Sequence, residues 1–90
     1  MKAYPFLISS PDGDVFRDNV LKISLRGVDG DLAIMAGHVP FITSVVPCAV
    51  EILLENEKSR NGHTDGGLLT VTKETVTLIS GTFTWDEQEN

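Results

Sequence analysis

The chain is short of the residues that most small-protein chemistries require. Its one cysteine, Cys48, excludes an internal disulfide framework and any Cys-x-x-Cys metal site. A single cysteine suits a reducing compartment. Aromatic residues make up only 7% of the sequence. Tyr4, Phe83 and Trp85 form no basic–aromatic array, so a stacking platform for single-stranded nucleic acid is unsupported. Basic residues are also scarce, 7 Lys and Arg against 13 Asp and Glu, for a net charge of −6. Phosphate backbones and anionic lipid heads should repel such a chain, which argues against nucleic-acid binding and electrostatic membrane docking. No apolar run approaches the roughly 20 residues of a membrane-spanning helix. The first eight residues carry one lysine and an apolar run broken by Pro5, without a signal-peptide core. The expected address is cytoplasmic, with any membrane contact made through partners.

What the chain does contain is alternation. Hydrophobic residues are 41% and charged residues 22%, ordinary globular usage, and 90 residues suit one domain. Leu21, Ile23 and Leu25 alternate with Lys22, Ser24 and Arg26. Val50, Ile52 and Leu54 alternate with Glu51 and Glu55. Leu69 and Val71 alternate with threonines, as do Val76 and Leu78. This period of two reads as strands with one wet face. Shorter candidates are Phe6–Ser9, Val15–Asp18, Leu32–Met35 and Phe41–Val46. Pro11-Asp12-Gly13-Asp14, Gly27-Val28-Asp29-Gly30 and Gly37-His38-Val39-Pro40 supply turn chemistry. Asn61-Gly62 and Lys73-Glu74 read as hairpin tips, and the polar stretch Glu55–Asp65 as an exposed hairpin end. No segment has a helical period. The expected fold is all-β: a two-sheet antiparallel β-sandwich of about 8–10 short strands over residues 1–85, with no helical hairpin, followed by an acidic tail at 86–90.

Catalytic and metal signals are weak. His38 follows Asp31 by seven residues, but a hydrolytic pair needs a nucleophile such as Ser44 or Cys48 within reach. A turn histidine is the expected reading, and His63 is expected to be solvated. Cys48 should be a small buried hydrophobe, because no basic neighbour is visible to activate a thiolate. Asp12, Asp14 and Asp18 lack the glycine position and the bidentate glutamate of a calcium loop. The glycines form no phosphate loop, and Gly66-Gly67 marks a bulge or a close strand approach. The residues alone describe an acidic, non-catalytic β-domain without a cofactor, acting through contact.

Four ordered strings say more: Pro11-Asp12-Gly13-Asp14-Val15-Phe16; Gly30-Asp31-Leu32-Ala33-Ile34-Met35-Ala36-Gly37-His38-Val39-Pro40-Phe41-Ile42-Thr43; Gly66-Gly67-Leu68-Leu69-Thr70-Val71; and Val76-Thr77-Leu78. Together they resemble the N-terminal β-sandwich domain of the epsilon subunit of F-type ATP synthases, delta in mitochondrial naming. In that pattern Asp31 stands for a glutamate, Ala33 for a glycine, Ala36 for a proline and Cys48 for a glycine. The resemblance implies a non-catalytic rotor part in the central stalk, docking the gamma subunit to the membrane c-ring and coupling ion flow to ATP synthesis. It implies no cofactor, and a place on the inner face of a bacterial membrane or on the stromal side of a thylakoid. Asp31 and His38 match positions of the loop that faces the ring, where a carboxylate can accept a charge-assisted hydrogen bond from a basic residue. A helical hairpin usually follows the sandwich and can inhibit hydrolysis; these 90 residues are expected to couple without such inhibition. Leu53 and Ile79 interrupt the polar faces of their strands and are expected to form a gamma-facing patch. The competing reading is a free-standing acidic β-sandwich that binds a peptide or a sugar.

Overall fold

The computed structural model describes residues 2–86, and among these described residues there are nine strands and no helix. They are β1 (Tyr4–Ser10), β2 (Gly13–Gly27), β3 (Gly30–Met35), β4 (Phe41–Val45), β5 (Cys48–Leu54), β6 (Ser59–Thr64), β7 (Gly67–Val71), β8 (Val76–Ser80) and β9 (Phe83–Trp85). The two sequence candidates Val15–Asp18 and Leu21–Leu25 are halves of one strand, β2, 15 residues long. A register shift between Val20 and Lys22 divides it. Its first half pairs with β1 and its second half with β3 and β5. The last residue of β2, Gly27, also pairs with Val45 of β4, so one continuous strand joins the layers at both edges, through β1 and through β4. One layer runs β1-β8-β7-β4 and the other β3-β2-β5-β6-β9.

Every pairing is antiparallel except β1 with β8, which is parallel. β1 already pairs with β2 on its other edge, so β8 fills the remaining edge in the direction its own hairpin with β7 imposes. The core lies between the layers. Phe6, Ile8, Val20, Ile23, Val50, Ile52, Leu69, Val71, Val76 and Leu78 are all buried there, as the period-two pattern requires. Each contributes roughly 1.5–3 kcal/mol by burial.

Some turns fall where the sequence announced them and others do not. Gly13 takes φ +121° after Pro11-Asp12, and the Thr72 and Thr75 hydroxyls cap the Lys73-Glu74 tip. Asn61-Gly62 is not a tip. Both residues lie inside β6, paired with Glu51 and Val50 of β5. The tip falls earlier, where the Leu54 N–H donates to the Lys58 carbonyl and Glu57 takes φ +69°. Glu55–Asp65 is therefore a tip followed by a strand. Gly62 is needed there for space: a Cβ would stand 2.5 Å from the Phe83 ring.

A polar clamp joins the layers at one end. The buried hydroxyls of Thr64 on β6 and Ser80 on β8 lie 2.6 Å apart. Beside them the Asp65 carboxylate accepts from the Thr82 N–H at 2.9 Å, and the Asp65 N–H donates to the Thr82 carbonyl at 3.1 Å. Buried hydroxyls satisfied in this way rigidify rather than destabilise. Trp85 is held too, tilted on Phe16 and edge-on to Phe83, with the Arg60 guanidinium 3.7 Å from its ring centre. Of the expected tail, Asp86 bonds back to the Asn61 carbonyl, and 87–90 lie outside the described residues.

Candidate functional site

The outward positions of β4, β7 and β8 are Ile42 and Ser44, Leu68 and Thr70, and Thr77 and Ile79, because their sequence neighbours point into the core. Leu68 pairs with Ile79 and Ser44 with Leu68, so the apolar side chains form a contiguous surface. Ile42 is 66% exposed, Ile79 50% and Leu68 39%. Leu7 of β1, next to Thr77, extends it. These three strands carry no charge on this side, although the chain as a whole is acidic. Three exposed aliphatic side chains on a charge-free sheet face make this patch the candidate contact surface.

Ile79 was anticipated as a contact residue and lies in this face. Leu53 does not share it. Leu53 projects from the outer side of the other layer, where it pairs with Lys22 and Ser59 and is half-buried beside Leu21 and Ala3. The two lie on opposite sides of the sandwich and cannot form one patch. Strand parity placed both outward but could not say which layer each strand joins. Ile42 and Leu68 were missed, although the doubled Leu68-Leu69 signals one leucine in and one out.

The second surface lies on the other layer. The Arg26 guanidinium donates through Nε to Oδ1 of Asp31 at 2.8 Å, across the β2–β3 pair. The Asp31 bond and charge raise the Arg26 pKa above its ordinary value. Beside them a shallow depression is lined by Ser24, Ala33, Ala49, Glu51 and Cys48. Cys48 is half-buried rather than fully buried. It opens β5 at the mouth between the layers, where its sulfur accepts the Arg26 N–H at 3.3 Å.

His38 stands elsewhere. Asp31 is the second residue of β3, whereas His38 lies three residues past its end, so the two do not share one loop. The hairpin at Gly27–Gly30 and the turn at Gly37–Pro40 flank opposite ends of the strand. The His38 ring is edge-on to Tyr4 at 5.2 Å, and its Nδ1 is buried without a hydrogen-bond partner. Asp31 is engaged by Arg26, not by His38, so no catalytic Asp–His pair is assembled. His63 is exposed on the outer side of β6. Among the described residues no group of three His, Cys, Asp or Glu side chains could hold a metal.

Beneath His38 the Tyr4 hydroxyl donates to the Ile34 carbonyl at 2.6 Å. Burial pushes the phenol well above its ordinary range, and a backbone hydrogen bond at Ile23 offsets part of the shift. Below about pH 10 both folded and unfolded chains keep this proton. Above it the unfolded chain loses a proton that the folded chain retains, so stability should fall with rising pH, by about 1.4 kcal/mol per unit. Tyr4 is the only tyrosine, so phenolate absorbance reports it alone. Absorbance should rise together with unfolding rather than before it, and Tyr4→Phe should remove this contribution to the alkaline slope.

The fold is a small β-sandwich, with a charge-free aliphatic face on one layer and the Arg26–Asp31 pair on the other. The chain belongs to the delta/epsilon-chain family of ATP synthases: the family model described as "ATP synthase, Delta/Epsilon chain, beta-sandwich domain" matches residues 4–86. The sodium-ion-specific ATP synthase epsilon chain of Acetobacterium woodii is 31% identical over 81 residues, covering 90% of this chain and 61% of that protein. The epsilon chain of Bacillus thuringiensis is 32% identical over 85 residues, 89% of this chain and 59% of that one. The chain thus spans about three-fifths of the length of the curated relatives it matches. Its fold superposes on a chain of the mitochondrial ATP synthase of Euglena gracilis, in its OSCP/F1/c-ring assembly, with a TM-score of 0.88 at 19% identity, covering 98% of this chain and 56% of that one. A chain of the central stalk and c-ring structure of the Tetrahymena thermophila enzyme gives 0.74 at 13% identity, covering 91% of this chain and 66% of that one.

Proposed function

We propose that this sandwich is a non-catalytic docking part of the rotor of an F-type ATP synthase. In this reading it packs on the gamma subunit through the Ile42–Leu68–Ile79 face. Through its other layer it meets the polar loops of the c-ring, with Asp31 as the acceptor for a basic loop residue. It then couples ion flow to synthesis at the membrane-facing foot of the central stalk, on the side that carries the catalytic head. The observation that carries this reading is the charge-free aliphatic face of β4, β7 and β8 on an otherwise acidic domain. The Thr64–Ser80 clamp and the β2 strand shared by both layers suit a part that must pass torque between two surfaces without shearing. A sugar or peptide groove lined with exposed aromatics has no counterpart here, since Phe83 and Trp85 are turned into the fold.

Size-exclusion chromatography with the cognate gamma subunit tests the proposal. One-to-one co-elution at micromolar concentration is expected; two separate peaks at tens of micromolar would reject it. The role proposed for these residues is coupling, not inhibition. Added in excess to a purified catalytic head, the polypeptide should leave the ATP hydrolysis rate unchanged, and strong suppression would overturn that part.

A further inference from the structure

We propose that Arg26 is an internal competitor for the Asp31 carboxylate, and that Glu51 is its second acceptor when a partner's cation takes Asp31. This rests on the reading of Asp31 as a ring-facing acceptor and adds what governs its availability. The Asp31 side chain is 79% exposed and that of Arg26 62%, with the Nε–Oδ1 bond at 2.8 Å. So the carboxylate is open to a visitor, yet it already holds a guanidinium. A docking lysine or arginine therefore meets an occupied acceptor and a like charge beside it.

The register supplies a way out. Arg26 faces Asp31 across β2–β3, while Ser24, two residues earlier, faces Ala33 on one side and Glu51 on the other. Glu51 is thus the diagonal neighbour of Arg26, at about 7–8 Å by the geometry of such positions, within reach of long side chains. The ground between is low, because Ser24 and Ala49 are both small, and both line the same depression with Arg26, Asp31 and Glu51. Lys22, the other diagonal neighbour of Glu51, faces Leu53 and Met35 and stands outside the depression. Arg26 can turn about its own side-chain bonds from Asp31 to Glu51 without backbone movement, leaving Asp31 to the partner. Side-chain swings of exposed residues of this kind take picoseconds to nanoseconds.

The test titrates isotope-labelled protein at low salt with a synthetic peptide of the cognate ring's polar loop, followed by chemical shift. A second peptide, with the basic residue changed to glutamine, is the control. Arg26→Gln should bind the basic peptide about two- to fivefold more tightly, the fold-change of one exposed ion pair. Glu51→Gln should weaken binding by a similar factor while Arg26 is present and have no effect in Arg26→Gln, since the landing site matters only to a side chain that must leave. Asp31→Asn should weaken binding and abolish the effect of Arg26→Gln, as a double-mutant cycle requires of coupled residues. If Asp31→Asn weakens binding but Arg26→Gln leaves it unchanged, the competition is wrong and the docking reading stands. If Asp31→Asn has no effect, or the basic and control peptides bind alike, or neither binds at millimolar concentration, the docking reading at Asp31 fails and this inference with it.

Discussion

Ile79→Asp is expected to abolish co-elution with the gamma subunit while leaving the sandwich folded. Ile79 is 50% exposed at the centre of the aliphatic face and opposite Leu68. A carboxylate there would be buried against an apolar partner without a counter-ion, because β4, β7 and β8 present no charge on this side. Central interface residues of this kind cost about 2–4 kcal/mol when truncated, roughly a 30- to 1,000-fold loss of affinity. The fold itself should lose no more than about 1 kcal/mol, the span of strand preference at an exposed position. Leu53→Gln, on the opposite side, should bind as the unaltered chain does. The comparison decides between faces. Retained binding by Ile79→Asp together with loss in Leu53→Gln would move the gamma contact to the other layer.

The second large effect concerns the fold. Gly67→Ala should cost about 3 kcal/mol, at the upper end of overpacking penalties. A Cβ at Gly67 collides with the carbonyl oxygen of Ile79 and its backbone. Both are ladder atoms of the β7–β8 pair, so neither can swing aside as a side-chain tip could. For a domain of this length that loss lowers the melting temperature by about 12–24 °C, readable by calorimetry. An unchanged melting temperature would mean that β7 and β8 separate at this end at little cost.

Much of this architecture was legible beforehand, for definable reasons. Inward and outward assignment needs only parity, so the core residues of β5, β7 and β8 and the exposure of Ile79 followed directly from alternation. Turns whose conformation is chosen by their own residues, such as Pro11-Asp12-Gly13 and Thr72–Thr75, were legible for the same reason. Asn61-Gly62 misled, because that pair favours a tip only when nothing else needs the space. Here the Phe83 ring does, and it arrives from more than twenty residues away. Cys48 misled in a smaller way: an inward position at a strand's first residue lies at the mouth between layers, not at its centre.

The sequence by itself determined most of the strands, the acidic charge, the lack of metal and nucleophile motifs, and the family, because each depends on residue order over a few positions; it did not announce β6 or β9, nor that β2 is one strand. Only the tertiary structure decided which outward residues share a surface. It separated Leu53 from Ile79, joined Ile42, Leu68 and Ile79, split Asp31 from His38, and set Arg26 between Asp31 and Glu51. Those relations are matters of strand order and register between distant segments. They are settled by which arrangement closes one core around both layers, and no local pattern carries that information.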